Sequence, residues 1–179
     1  MQIVPSFPLV TDIIQSYAGA LGEDLPAYRN HVCRVLNFFL ALNAPNVEVP
    51  EQVLIAAAFH DIGIWTDRTL DYLSPSVREA SAYLSKQGSV CHATEIEAII
   101  TQHHKLRRYT GQYEDNVERY RKADMVDLSL GFVRFGLPVA FVQSVKAAFP
   151  NQGFHRRLAM LTGRQLIRAP LRPLPMIRW

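Results

Sequence analysis

Two histidines and two aspartates stand where a helical protein would be expected to bury apolar side chains: His31, the adjacent pair His60-Asp61, and Asp124. His60-Asp61 closes the apolar run from Val53 to Phe59, just ahead of Gly63. An isolated carboxylate in such a setting is costly unless something compensates its charge. A cation would do so, and imidazole with carboxylate suits a borderline divalent ion. Two imidazoles and two carboxylates fit Mn, Fe, Co, Ni or Zn, and Mg less well.

The elements that must position these residues read as helices almost throughout. Val10, Ile13, Ile14 and Tyr17 share one face of a helix over 9–20, which Gly19 and Gly22 end. Pro26 opens the next helix near its first turn. There Val32, Val35, Leu36, Phe39 and Leu42 form the apolar face, with His31 one turn before Val35. Pro50 starts the helix that carries His60-Asp61, and Gly63 and Thr66 break it. Ser74-Pro75 begins another, with Val77, Ala80, Tyr83 and Leu84 inward, and Gly88 stops it. Thr94 has the character of an N-cap, with Glu95 and Glu97 in the first turn. That helix leads to His103-His104, and Tyr109 to Tyr113 form a loop. Helices follow over 114–130, which carries Asp124, and over about 139–149 and 154–168. Pro170, Pro173 and Pro175 forbid continuation, so the end reads as an extended strap packed by Leu171, Leu174, Met176, Ile177 and Trp179.

Composition bounds the function classes. The 179 residues suit one domain, and 49% hydrophobic content supports a real core. No apolar run is long enough for a membrane helix, and the first residues lack the pattern of a signal peptide. Cys33 and Cys91 form no disulfide framework and no zinc motif, as expected for reduced thiols in a cytoplasmic protein. The net charge of +3 is uneven: residues 151–179 hold six arginines and no acid. No aromatic stacking pattern accompanies them, so they read as a solvated helix face, and nucleic acid is not an expected partner. The apolar tail would serve a homo-oligomer interface as readily as a strap.

Taken in order, the set resembles the HD-domain superfamily of metal-dependent phosphohydrolases. The segments that carry the resemblance surround His31 (Tyr28 to Val35), His60-Asp61 (Ala57 to Gly63) and Asp124 (Lys122 to Asp127). The resemblance implies an all-α, HD-type helical bundle. The single domain would span 1–179, with a family core at about 25–130 and C-terminal helices and a proline-rich strap at 139–179. It implies that His31, His60, Asp61 and Asp124 bind one divalent metal ion, which activates water against a small phosphate ester or nucleotide. Asp61, with two carboxylate oxygens, would also accept the water proton or bridge to a second metal. Arg34, Arg78 and Lys105 are the candidates to neutralise phosphoryl charge. Asp127, three residues after Asp124, could hydrogen-bond a ligand histidine.

His103 matches the segment where the family places a histidine in the cleft. His104, about 100° further round a helix, is a substrate-contact candidate. Binuclear relatives add a histidine before a proline, but here Ser74 precedes Pro75, which favours one ion over two. His92 is the only substitute on offer. Two alternatives follow from the resemblance: a di-iron oxygenase, which needs six ligands, and a non-catalytic nucleotide-binding module. Trp65, Tyr72 and Tyr109 are candidate pocket walls, and His155 reads as structural. The absence of a Gly-Tyr-Pro motif after His103-His104 disfavours a cyclic dinucleotide phosphodiesterase.

Overall fold

The computed structural model describes residues 1–43, 47–88, 91–171 and 174–177. The fold is all-α, and the described residues contain no strand. Helices α1 (Pro8–Ser16) and α2 (Ala18–Leu21) replace the single helix expected over 9–20. A break at Tyr17 separates them, Gly19 lies within α2, and Gly22 ends α2 at φ +53°. A 3-10 turn (Gly22–Asp24) then leads into α3 (Leu25–Ala41), where Pro26 occupies the first turn.

From Val53 onward, helix α4 (Glu51–Phe59) is apolar on every side. Ala56, Ala57 and Ala58 are all buried, and their small side chains let α1, α3, α6 (Leu73–Lys86) and α7 (Ala93–Gln102) approach it together. A helix that is hydrophobic all round must be central, so whatever follows Phe59 is delivered to the middle of the bundle. The chain turns there rather than continuing, and the short helix α5 (Gly63–Thr66) starts three residues after His60. Gly63 permits this: a Cβ on it would lie 2.6 Å from the Tyr72 carbonyl oxygen and 2.8 Å from Pro75 Cβ. Its N–H donates to Ser76 Oγ at 3.0 Å, which ties α5 to the start of α6.

Helix α8 (Glu114–Leu128) lies against α3 in the most extensive helix pair of the fold. Helices α9 (Val139–Ala148) and α10 (Phe154–Arg168) complete the order, and both also touch α3. Two local expectations are corrected. Helix α7 is preceded by His92 in the left-handed region rather than capped by Thr94, whose hydroxyl instead bonds the Tyr113 hydroxyl at 2.9 Å. In the C-terminal segment Met176 is buried and Ile177 partly so, but Leu171 is fully in solvent and packs nothing. Trp179 and Pro173 lie outside the described residues. Cys33 is buried and Cys91 exposed, both free. No described helix is long and apolar enough to cross a membrane.

Candidate metal centre

Four helices deliver the site. His31 comes from the middle of α3 and Asp124 from α8, which pack face to face; His60 and His103 each follow the last residue of a helix, α4 and α7. A helix C-terminus carries partial negative charge. Two of them therefore end at the same point, beside two carboxylates, in an environment that favours a cation.

Hydrogen bonds fix the histidine rings. His31 Nδ1–H donates to Asp127 Oδ2 at 2.7 Å, His60 Nδ1–H to the Ala57 carbonyl at 2.8 Å, and His103 Nδ1–H to the Ile100 carbonyl at 2.7 Å. With Nδ1 committed as the donor, a ring in its neutral form presents a bare Nε2 lone pair. These lone pairs converge. His31 Nε2 is 3.0 Å from His60 Nε2, 3.7 Å from Asp61 Oδ2 and 3.6 Å from Asp124 Oδ1. His60 Nε2 is 3.4 Å from Asp61 Oδ2 and 3.9 Å from Asp124 Oδ1. On the other side of Asp61, His103 Nε2 lies 3.4 Å from Oδ1, and His104 Nδ1 lies 3.6 Å from Asp124 Oδ2.

Several of these atoms have no partner within the protein. Asp61 Oδ1, Asp124 Oδ2 and His103 Nε2 are buried without a hydrogen bond. Buried polar atoms are almost always satisfied, and here two carboxylate oxygens and an imidazole nitrogen are left without a hydrogen bond in one cluster, near the equally unpartnered Tyr120 hydroxyl. That is the pattern a cation would complete, and the ligand set fits one. Two groups have the spacing to hold an ion: His31, His60 and Asp61; and Asp61, His103 and His104. Asp61 belongs to both and offers one oxygen to each side. The second group forms without Ser74 and without His92, whose side chain is 57% exposed and faces Glu95 at 3.8 Å. Helix α7 ends at Gln102, so His104 does not continue the helical sweep that would turn it away; the His103 and His104 rings lie 4.0 Å apart.

The electrostatics follow from burial. Burial holds the His31 pKa down to about 4, against the opposing pull of the Asp127 hydrogen bond, so the ring is neutral near pH 7. Burial also pushes Asp124 up to about 8, and the neighbouring Asp61 and Asp127 charges add to this against the influence of His103. Burial alone would raise Asp61, but interactions with His60 and His103 outweigh it and hold Asp61 well below the usual range. The tyrosines around the site, Tyr28, Tyr72 and Tyr120, are held neutral by burial and the same carboxylates. His104 is also driven toward its neutral form, first by burial. The Tyr72 hydroxyl is 2.6 Å from His104 Nε2, which orients that ring so that Nδ1 faces the site.

Arg34 is not among the residues that line the cavity. It is buried and grips Asp127 with two bonds, Nε to Oδ1 at 2.6 Å and Nη2 to Oδ2 at 2.8 Å, while Nη1 donates to the Phe149 carbonyl. Hydrogen bonds from His31 and Arg34 override burial and hold Asp127 well below its ordinary value, so an Arg34–Asp127 ion pair backs the neutral His31 ring. Phe154 stacks on His31, with ring centroids 4.1 Å apart at 14°, and closes the other face. Composition and motif spacing do not single out Phe154, Tyr28 or Tyr120. Arg34 follows His31 by three residues and Asp127 follows Asp124 by three, so each pair shares a helix face; that periodicity is the available signal for their contact.

The remaining candidates fall elsewhere. Arg78 is exposed and paired with Asp67 at 2.6 Å, away from the site. Lys105 is half-buried and is not among the cavity-lining residues; its carbonyl accepts from Arg121. Trp65 is buried and donates to Asp24, while the Tyr109 hydroxyl donates to the Gln112 carbonyl. Of the three aromatic wall candidates only Tyr72 lines the cavity. His155 Nε2 donates to the Asp127 carbonyl, which supports its structural reading. A cavity of about 230 Å³ opens onto His31, Asp61, His104 and Asp124.

Comparison with family models, with curated proteins and with solved structures finds no match.

Proposed function

We propose that the chain is an HD-type, metal-dependent phosphohydrolase that acts on a small phosphate ester. The observation that carries this is the convergence of bare imidazole nitrogens and unpartnered carboxylate oxygens beside a cavity. His31, His60, Asp61 and Asp124 would hold a divalent ion, and Asp61 with His103 and His104 would hold a second. An ion bound there would supply a Lewis acid for a phosphoryl oxygen, offset its charge and lower the pKa of an adjacent water.

The protein's own contributions are positional and protolytic. With only the His31–His60 position occupied, Asp61 Oδ1, buried and without a hydrogen bond, would take the proton of the attacking water; with both positions occupied, that oxygen would be a ligand instead. The Arg34–Asp127 pair fixes the His31 ring, and Tyr72 fixes His104. Phe154 and Leu70 line the cavity and keep bulk water from the reacting atoms. Phosphatase turnover after loading with Mn²⁺, Fe²⁺, Co²⁺ or Zn²⁺ tests this. Asp61→Ala should lower it by about 10²- to 10⁴-fold, the usual contribution of a positioned acid or base. Unchanged turnover in that variant would overturn the assignment.

A second reading, a di-iron oxygenase, is favoured by one observation. Six side chains, Asp61 among them, are gathered rather than four, and no lysine or arginine lines the cavity among the described residues. Two irons per chain with O₂ consumption, and no phosphate release, would select it.

A further inference from the structure

The cavity walls say what kind of molecule the site takes. The floor is His31, Asp61, His104 and Asp124, but the walls are apolar: Met125 and Leu128 from α8, Leu158 from α10, and Met176 and Ile177 from the C-terminal segment. A nucleotide or sugar phosphate brings hydroxyls, ring nitrogens or further charges that need polar partners once desolvated. The described walls offer almost none of these. The volume, about 230 Å³, exceeds the roughly 150 Å³ of an engineered apolar cavity that holds benzene. It falls short of the ~300 Å³ at which drug-sized ligand pockets begin. At the rim, Leu106, Leu128 and Leu174 remain 46%, 37% and 37% exposed, an apolar collar with no covering group among the described residues.

We infer that the substrate carries an alkyl or aryl group, somewhat larger than a benzene ring, which fills this cavity while its polar head meets Asp61 and Asp124. The identity of the head rests on the phosphohydrolase reading; the apolar group does not. Met125 from α8, Leu158 from α10, and Met176 and Ile177 would line that group. Transfer of methylenes from water into such walls is the source of selectivity, and polar esters of equal size are excluded by the cost of burying their hydroxyls.

The test is calorimetric titration of the Mn²⁺-loaded full chain with methyl-, butyl-, hexyl- and octylphosphonate, and with adenosine monophosphate. The phosphonates have no P–O ester bond to hydrolyse, so affinity is read without turnover. Affinity should rise about fourfold per methylene until the cavity is full, and octylphosphonate should bind at least tenfold more tightly than the nucleotide. Leu158→Trp, on a half-buried position of α10, should weaken octylphosphonate at least tenfold and leave methylphosphonate within twofold. A flat chain-length series, or tighter binding of the nucleotide, overturns the inference, and the wild-type series needs no variant to fold. A parallel assay of octyl phosphate hydrolysis separates the two claims. A steep series without hydrolysis keeps the apolar subsite and overturns the phosphohydrolase reading; hydrolysis of small polar phosphates with a flat series does the reverse.

Discussion

The Nε2 atoms of His31 and His60 face each other at 3.0 Å, and neither ring is free to turn away, because each Nδ1 is held by an acceptor, Asp127 or the Ala57 carbonyl. Two lone pairs at that distance repel unless a proton or a cation lies between them. A divalent ion removes the repulsion and uses the nearby Asp61 and Asp124 oxygens as well. Metal should therefore stabilise the fold itself. At a free concentration one hundred times the dissociation constant the gain is about 2.7 kcal/mol. Thermal unfolding before and after chelation measures it, and an unchanged midpoint would show that no ion belongs there.

Asp127 should matter as much to metal binding as to the fold. In Asp127→Asn, His31 Nδ1–H loses its charged acceptor and Arg34 is left buried without its counter-ion. Removing one partner of a buried ion pair costs roughly 3–5 kcal/mol, and loss of a group that orients a ligand histidine typically costs about 10- to 100-fold in metal affinity. Denaturant titration should show the first and isothermal titration with Mn²⁺ the second. Stability lost with metal affinity intact would reduce Asp127 to a packing role.

The pH dependence of metal stabilisation has a definite sign. Asp124 is held up to about 8, so the metal-free folded chain keeps a proton that the unfolded chain releases near pH 4; raising the pH through this window removes stability. His31 is held down to about 4, so the unfolded chain takes up a proton near pH 6.5 that the folded one refuses; lowering the pH from there toward 4 also removes stability. An ion needs both groups unprotonated. Its stabilising effect should thus grow as pH rises from about 5 to about 8. Unfolding midpoints with and without Mn²⁺ at each unit of pH would reveal the trend, and a constant difference contradicts it.

Gly63→Ala should be destabilising although the change is one methyl group. The new Cβ would meet the Tyr72 carbonyl oxygen at 2.6 Å, and that neighbour is backbone, unable to swing aside. Overpacking of this kind costs about 1–3 kcal/mol. Because Tyr72 also orients His104, metal affinity should fall with stability. Urea denaturation and metal titration of the same variant check both; a neutral substitution would mean that α5 and α6 are not seated so closely.

Much of the helix order is legible in the chain's local chemistry. Pro26, Pro50, Pro75 and Gly88 act locally, through fixed φ, a missing N–H or tolerance of positive φ, and the helices begin or stop within a residue or two of them. His31, His60, Asp61 and Asp124 are legible because ionisable groups on apolar helix faces stand out against the periodicity that surrounds them. That Asp127 shares a helix face with Asp124 follows from a three-residue spacing, a property of the helix alone.

What the sequence cannot decide is the company each residue keeps across the bundle. Arg34 and Arg78 carry the same charge and look alike as phosphate ligands. Packing of α3 on α8 commits Arg34 to Asp127, while α6 leaves Arg78 in solvent beside Asp67. His104 points toward the site only because α7 ends at Gln102 and the chain turns, an outcome set by tertiary fit rather than by helical angle. The apolar walls over the site join residues from α8, α10 and the C-terminal segment, which are far apart along the chain. Local chemistry wrote the candidate ligand atoms into the sequence; only long-range packing, which brings distant side chains within a few ångströms, decided which of them converge and what surrounds them.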